Sequence, residues 1–189
     1  MLGLVGNALL LVAFVACGVS AFAFFWSARN GDGPQSAAWK RAGRWSWGAM
    51  SAAVVAVSGL LWYLILNHRY QYAYVYQNSS NDLPLHYLFS TFWAGQEGSF
   101  LLWILMMCGV GAALIAYVQR EYERHVMAVV GLSQFFLLSM IVGLQLGPVE
   151  IGTSPFVGLA EKFPDAPIFQ QNPDFVPADG QGLNDLLQN

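Results

Sequence analysis

Four stretches of the chain, residues 2–26, 47–66, 99–118 and 126–145, contain no Asp, Glu, Lys, Arg or His. A helix that crosses a bilayer needs about 20 apolar residues in succession, so the pattern predicts four transmembrane helices. The intervals between them carry periods of their own. In "YQYAYVY", residues 70–76, Tyr70, Tyr72, Tyr74 and Tyr76 alternate with Gln71, Ala73 and Val75, and a period of two predicts a strand. After Pro84 the period lengthens. Leu85, Leu88, Phe89, Phe92 and Trp93 fall on one face of a helix, which predicts an amphipathic segment lying flat in the interfacial layer.

The stretch "FWAGQEGSFLLW", residues 92–103, then reads as a corner. The surface helix ends at Gly95, the chain turns through Gly95 and Gly98, and Ser99 caps the next span with its hydroxyl. Glu97, beside the positive end of that helix, is favoured there by about 0.3–1 kcal/mol. From residue 146 onward the chain holds six of its eight prolines and no sustained period, which predicts an extended, weakly ordered arm. The chain thus divides into a membrane region, 1–145, with an outer loop at 67–98, and a proline-rich acidic tail, 146–189, belonging to a truncated domain. The fold class is an all-α integral membrane protein: four transmembrane helices plus one interfacial amphipathic helix.

Composition supports this reading. Charged residues make up 10% of the chain and hydrophobic ones 56%, with a mean hydropathy of +0.46, against about 25% charged in a soluble domain. The first apolar run has no basic segment before it and no cleavage site after it, so it reads as a retained helix rather than a signal peptide. Six of the eight basic residues (Arg29, Lys40, Arg41, Arg44, Arg120 and Arg124) lie between spans one and two or between spans three and four. Positive loops stay inside, which places both termini, the long loop and the tail in the periplasm. Trp26, Trp39, Trp45 and Trp47 near the inner face, and Trp62 and Trp93 near the outer, fit an aromatic belt.

Little in the chain is chemically specific. Cys17 and Cys108 both lie within spans and form no CxxC or CxxCH motif, so they read as packing residues. His68 and His86 fall outside and His125 inside, with no metal-ligand spacing; His86 is the weak candidate for haem or metal ligation. No nucleophilic triad, phosphate loop or basic nucleic-acid patch is present. Asn7, Gln134 and Gln145 are the strongly polar residues within the spans, and they read as helix-to-helix contacts rather than a transport path. A transporter subunit needs polar or charged groups near the midplane, which are scarce here. A structural subunit of a multi-subunit membrane complex remains the alternative.

A longer pattern goes further. "YVYQNSSNDLPLHYLFSTFWAGQEGSFLLW" resembles the N-terminal region of the CcmF and NrfE family of cytochrome c-type biogenesis proteins. The family's pattern is matched at Tyr74, Val75, Ser79, Leu83, Pro84, Tyr87, Trp93, Glu97, Gly98, Ser99, Leu101, Leu102 and Trp103, while Gln96 stands where the family commonly has histidine. Near the end, Ser154–Phe156 and the run containing Leu183, Asn184, Leu186, Leu187 and Gln188 resemble two further family elements, with Asp185 replacing the usual proline.

The resemblance implies a bacterial inner-membrane protein that helps deliver and attach haem to apocytochrome c at the periplasmic face, for general cytochrome c or for nitrite reductase maturation. It implies haem b in the complete assembly. The family's His-Pro-Pro and tryptophan-rich haem motifs come after the last matched element, so this chain is expected to bind no haem alone and to be inactive as a lyase alone. The implied partners are the remainder of a CcmF-like chain or a split C-terminal subunit, the maturation components that hold apocytochrome and the haem chaperone, and the lipid bilayer.

Overall fold

The computed structural model describes residues 1–146, 149–172 and 174–183, with the backbone alone at 144–146 and 149–151. Asn184, Leu186, Leu187 and Gln188 therefore lie outside the described residues. The described chain is helical apart from one short hairpin and an isolated bridge. Its four long helices are α1 (Leu2–Arg29), α2 (Pro34–Leu66), α5 (Gln96–Tyr117) and α6 (Glu123–Val142), each long and apolar enough to cross a membrane. Between α2 and α5 lie the shorter α3 (Ala73–Asn78) and α4 (Leu85–Ala94). After α6 come β1 (Leu144–Leu146), β2 (Val149–Ile151), α7 (Leu159–Lys162) and α8 (Pro167–Gln171).

The long helices form a ring, with α1 packed along α2 and α6, and α5 along α6 and α2. Lipid is as apolar as leucine, so close packing and polar bridges hold such helices together. Large rings seat on small residues. A Cβ on Gly111 would lie 2.0 Å from the Trp47 ring, and one on Gly43 would lie 2.9 Å from the Phe24 ring. Trp47 is therefore a core residue, 2% exposed, and not part of an interfacial belt. Gln134 donates to the Ile104 carbonyl at 2.9 Å, and the Cys17 thiol donates to the Gly131 carbonyl at 3.4 Å. These polar groups bridge helices, as their isolation in apolar runs implies.

Three sequence expectations give way. Helix α2 begins thirteen residues before the apolar run, at Pro34, where a first-turn proline leaves no helical bond unmade. Lys40, Arg41 and Arg44 are good helix formers and extend it beyond the apolar segment. Secondly, the "YQYAYVY" strand is real for only a few residues. The Ala73 N–H donates to Val157 O and the Leu159 N–H to Gln71 O, around a Tyr72–Gly158 bridge. Beyond that contact no second strand is at hand among the described residues, and a helix meets its own backbone needs; α3 starts at once.

Thirdly, the described tail is packed rather than extended. Gly143 takes a left-handed φ of 65° to end α6, and β1 and β2 pair antiparallel with Leu144 opposite Ile151. Phe156 is 3% exposed and lies so close to α1 that a Cβ on Gly6 would fall 2.5 Å from its ring. The Ser154 hydroxyl donates to Asn7 Oδ1 at 2.5 Å and accepts the Phe156 N–H at 3.2 Å.

Candidate functional site at the aromatic corner

The resemblance-bearing residues gather at the end of the bundle where α2 runs out and α5 begins. Tyr74, 2% exposed, projects from α3 under the junction of α4 and α5. Its hydroxyl is shared between the carbonyls of Thr91 (2.9 Å) and Phe92 (3.0 Å) and accepts the Gly95 N–H at 3.3 Å. One phenol thus serves the last carbonyls of α4 and the residue between the helices, groups that a helix end leaves without partners. Burial holds its pKa well above the ordinary phenol value, with Glu97 adding to the rise. It acts as a neutral bonding post.

Gly98 completes the joint. A Cβ there would lie 2.0 Å from Phe92 O and 2.1 Å from the Tyr74 hydroxyl, so no other residue fits without moving backbone. The cap of α5 differs from the expected one. Gly95 holds the N-cap position, and Ser99 lies inside the helix with its hydroxyl donating to Trp93 O at 2.7 Å. The helix starts one turn earlier, its first backbone bond running from the Ser99 N–H to Gly95 O at 3.0 Å, while Tyr74 holds the Gly95 N–H in place. Glu97 then stands in the first turn of α5, where its Oε1 lies 3.6 Å from Lys162 Nζ on α7. Lys162 also donates to Gln77 Oε1 at 3.0 Å.

Helix α4 forms over the expected residues, yet its aromatic stripe is split. Phe92 and Leu88 are buried, and Phe92 stacks on Trp62 at 5.1 Å. Leu85, Phe89 and Trp93 remain exposed, although Phe89 also touches the Trp62 ring at 4.8 Å. Pro84 is the N-cap of α4, Tyr87 is half-buried with its ring 4.4 Å from that of His86, and His86 itself is exposed. Leu83 and Leu102 are half-buried, and Trp103 is exposed on α5.

The early and late motif segments, far apart in sequence, touch. Ser79 is fully buried and donates to Val75 O at 2.8 Å. Its own carbonyl accepts the Gly182 N–H at 3.0 Å, while Gln181 N–H donates to Tyr76 O at 2.8 Å. A Cβ on Gly180 would lie 2.0 Å from Ser79 O, which makes that glycine obligatory. Asp179 Oδ1 accepts the Asn81 N–H (2.8 Å) and the Gly180 N–H (2.7 Å). These bonds hold its carboxyl below the usual carboxylate range, the Asn81 bond first.

Asn81 continues the contact, giving its amide to Ala178 O at 2.9 Å and accepting from the Tyr70 hydroxyl at 3.0 Å. Because Tyr70 donates there, His68 Nδ1, at 2.9 Å, donates to Tyr70. Burial, and after it the charge of Asp179, pushes the Tyr70 phenol up to about 12. Sequence reasoning did not find this tail-to-corner latch. The paired glycines of "DGQG" were the available signal, since two glycines flanking an extended residue mark close backbone approach.

Among the described residues no three His, Cys, Asp or Glu side chains group as a metal site. His68 Nδ1 bonds the Tyr70 hydroxyl, and His86 stands exposed on α4.

No family model matches the chain. Individual relatives do. A cytochrome c-type biogenesis protein CcmF from Pseudomonas fluorescens is 31% identical over 143 residues, 76% of this chain and 19% of the relative. A CcmF from Haemophilus influenzae is 26% identical over 189 residues, covering 100% of this chain and 26% of the relative. A solved structure of the cytochrome c haem lyase CcmF superposes with a TM-score of 0.64 at 26% identity, over 73% of this chain and 23% of that one. The chain belongs to the CcmF family. It spans 19–26% of the length of these CcmF proteins. In this chain the corner is a joint in which Tyr74 and Gly98 fix the angle between α4 and α5. It is a multi-pass membrane protein with four candidate spans.

Proposed function

We propose that this chain serves cytochrome c-type biogenesis as the N-terminal, scaffolding part of a CcmF-like haem-handling assembly in the bacterial inner membrane. The observation that carries the proposal is the match to CcmF proteins along the chain's full length. Residues 1–145 would be the membrane region and 146–189 its periplasmic cover, with both termini, the corner and the latch outside. The charges support that orientation: Lys40, Arg44, Arg120 and Arg124 collect at the end of the bundle opposite the corner. Helix α4, with Leu85, Phe89 and Trp93 exposed, would lie in the outer interfacial layer.

In this reading the corner does no chemistry. Tyr74, Gly98 and Glu97 hold α3, α4, α5 and the tail in one fixed arrangement, and the exposed face of α4 with Trp103 is left for the remainder of a CcmF-like assembly. Haem would be held by that remainder, near apocytochrome and the haem chaperone.

Two measurements test this. Alkaline phosphatase fused after Gln145 should be active and fused after Arg44 inactive; the reverse would overturn the orientation. The chain purified alone in detergent should show no Soret band. A stoichiometric band, lost in His86→Ala, would make the chain itself a haem protein.

A further inference from the structure

At the end of the bundle opposite the corner, two neighbouring grooves differ sharply in chemistry. The first, of about 500 Å³, is lined by Lys40, Arg120 and Arg124 with Asp32, Glu121 and Ser36. The second, of about 430 Å³, runs between α1 and α6 and is almost wholly apolar; Ala21, Phe22, Phe25, Val129, Leu132 and Phe135 are among its walls. Arg124 of the polar groove precedes Ala128 of the apolar one by four residues on α6, so the two lie one above the other along one helix face. The Phe22 ring meets the Trp39 ring edge-on at 5.9 Å, which joins the apolar groove to the segment of α2 that carries Lys40.

Among the described residues one cation of the polar groove, Arg120, is free, while Lys40 pairs with Glu123 and Arg124 with Asp32. The Arg124 guanidinium bonds Asp32, Gly31 O and Ser36, but its buried Nε has no partner. Among the described residues the Arg120 side chain is exposed and makes no hydrogen bond or ion pair, while its backbone carbonyl accepts from Lys40 Nζ at 3.5 Å. Across this end of the chain, six Lys or Arg residues face three carboxylates, Asp32, Glu121 and Glu123. The apolar groove continues along Ala128–Phe135, a rise of about 10 Å, within one leaflet of a hydrocarbon core about 30 Å thick.

We propose that these two grooves form one binding site for an anionic phospholipid, the phosphate at Arg120, Lys40 and Arg124 and one acyl chain in the channel between α1 and α6. Basic pockets between membrane helices suit anionic headgroups. A free phosphate would use only the first groove and leave the second unexplained. The proposal stands on the membrane embedding and the charge placement alone, whichever side this end faces.

The test uses the full chain in phosphatidylcholine nanodiscs containing trace spin-labelled phosphatidylglycerol or spin-labelled phosphatidylcholine, read as the immobilised fraction of label. Phosphatidylglycerol should be preferred, and Arg120→Gln, at an exposed position that leaves the fold intact, should weaken its association about fivefold. Val129→Trp, at a position 66% exposed on the groove wall, should release the labelled acyl chain while Arg120 is kept. Equal immobilisation of the two lipids, or an unchanged preference in Arg120→Gln, would overturn the site. Inorganic phosphate displacing labelled phosphatidylglycerol as fully as unlabelled phosphatidylglycerol would assign the cations to a soluble anion and overturn the lipid reading.

Discussion

Tyr74 and Gly98 carry the joint, and their replacement separates its two parts. Tyr74→Phe keeps the ring and removes the hydroxyl, leaving the Gly95 N–H and the Thr91 and Phe92 carbonyls short of a partner. Unsatisfied buried groups of this kind cost about 1–3 kcal/mol, so the unfolding midpoint in detergent should fall clearly. Gly98→Ala forces a methyl to within 2.0 Å of Phe92 O, and overpacking against backbone costs about 1–3 kcal/mol or more. Glu97→Gln should do much less. The carboxylate and Lys162 are 3.6 Å apart, with side chains 15% and 30% exposed, and a pair that reaches water contributes about 0–1 kcal/mol. A stability loss above that range in Glu97→Gln, by the same melting measurement, would mean that the carboxylate holds more than Lys162.

Asp179 is a residue-scale switch for the latch. Its folded carboxyl lies below its usual pKa because the Asn81 and Gly180 N–H groups donate to the ionised form. The contribution to docking is therefore fully present above the unfolded pKa, near about 3.9, and is lost as pH falls through the folded value. Hydrogen exchange at the Asn81 and Gly180 amides, normalised for intrinsic rates, should lose protection only below the ordinary carboxylate range. Asp179→Asn should lose it already at neutral pH.

Among the elements, α2 and α6 are tied at their basic end by Glu123, whose side chain is 1% exposed and accepts from Arg44 Nε (2.6 Å) and Nη2 (2.7 Å) and from Lys40 at 2.5 Å. Removing one partner from a fully enclosed ion pair costs about 3–5 kcal/mol. Glu123→Ala leaves behind Arg44, which still reaches water at 42% exposure, so a loss nearer ~2 kcal/mol is expected in detergent melts. Lys40→Met leaves the bidentate Arg44 contact and should cost less than Glu123→Ala.

This tie explains why helix boundaries were only partly legible. Apolar runs mark where a chain enters lipid, while helices run on wherever caps and charge pairs support them. Lys40, Arg41 and Arg44 therefore belong to α2, which starts at Pro34, although their charge excluded them from the apolar run. The helical period of α4 was legible because five large apolar residues repeat it. The tyrosine alternation misled because tyrosines that are buried for their hydroxyl bonds need not alternate between faces of a sheet.

At the scale of the whole molecule, membrane class and family could be read from four uncharged runs and one long motif. The docking of the tail could not. Its contacts are Ser154 to Asn7, Phe156 over Gly6, Lys162 to Glu97 and Asp179 to Asn81, four links between positions separated by 65 to 150 residues with no period to reveal them. Proline content predicts an extended backbone and is silent about what that backbone lies against. The docked tail makes the corner end a built surface whose exposed part is the outer face of α4 and Trp103, the face assigned to the rest of the assembly. The most direct test of that assignment is complementation in a bacterium deleted for its own CcmF. This chain alone should yield no holocytochrome c, whereas co-expression with a chain supplying the remainder of a CcmF-like protein should restore holocytochrome c and co-purify with it. Restoration by this chain alone, or no complex and no holocytochrome c on co-expression, would contradict the account.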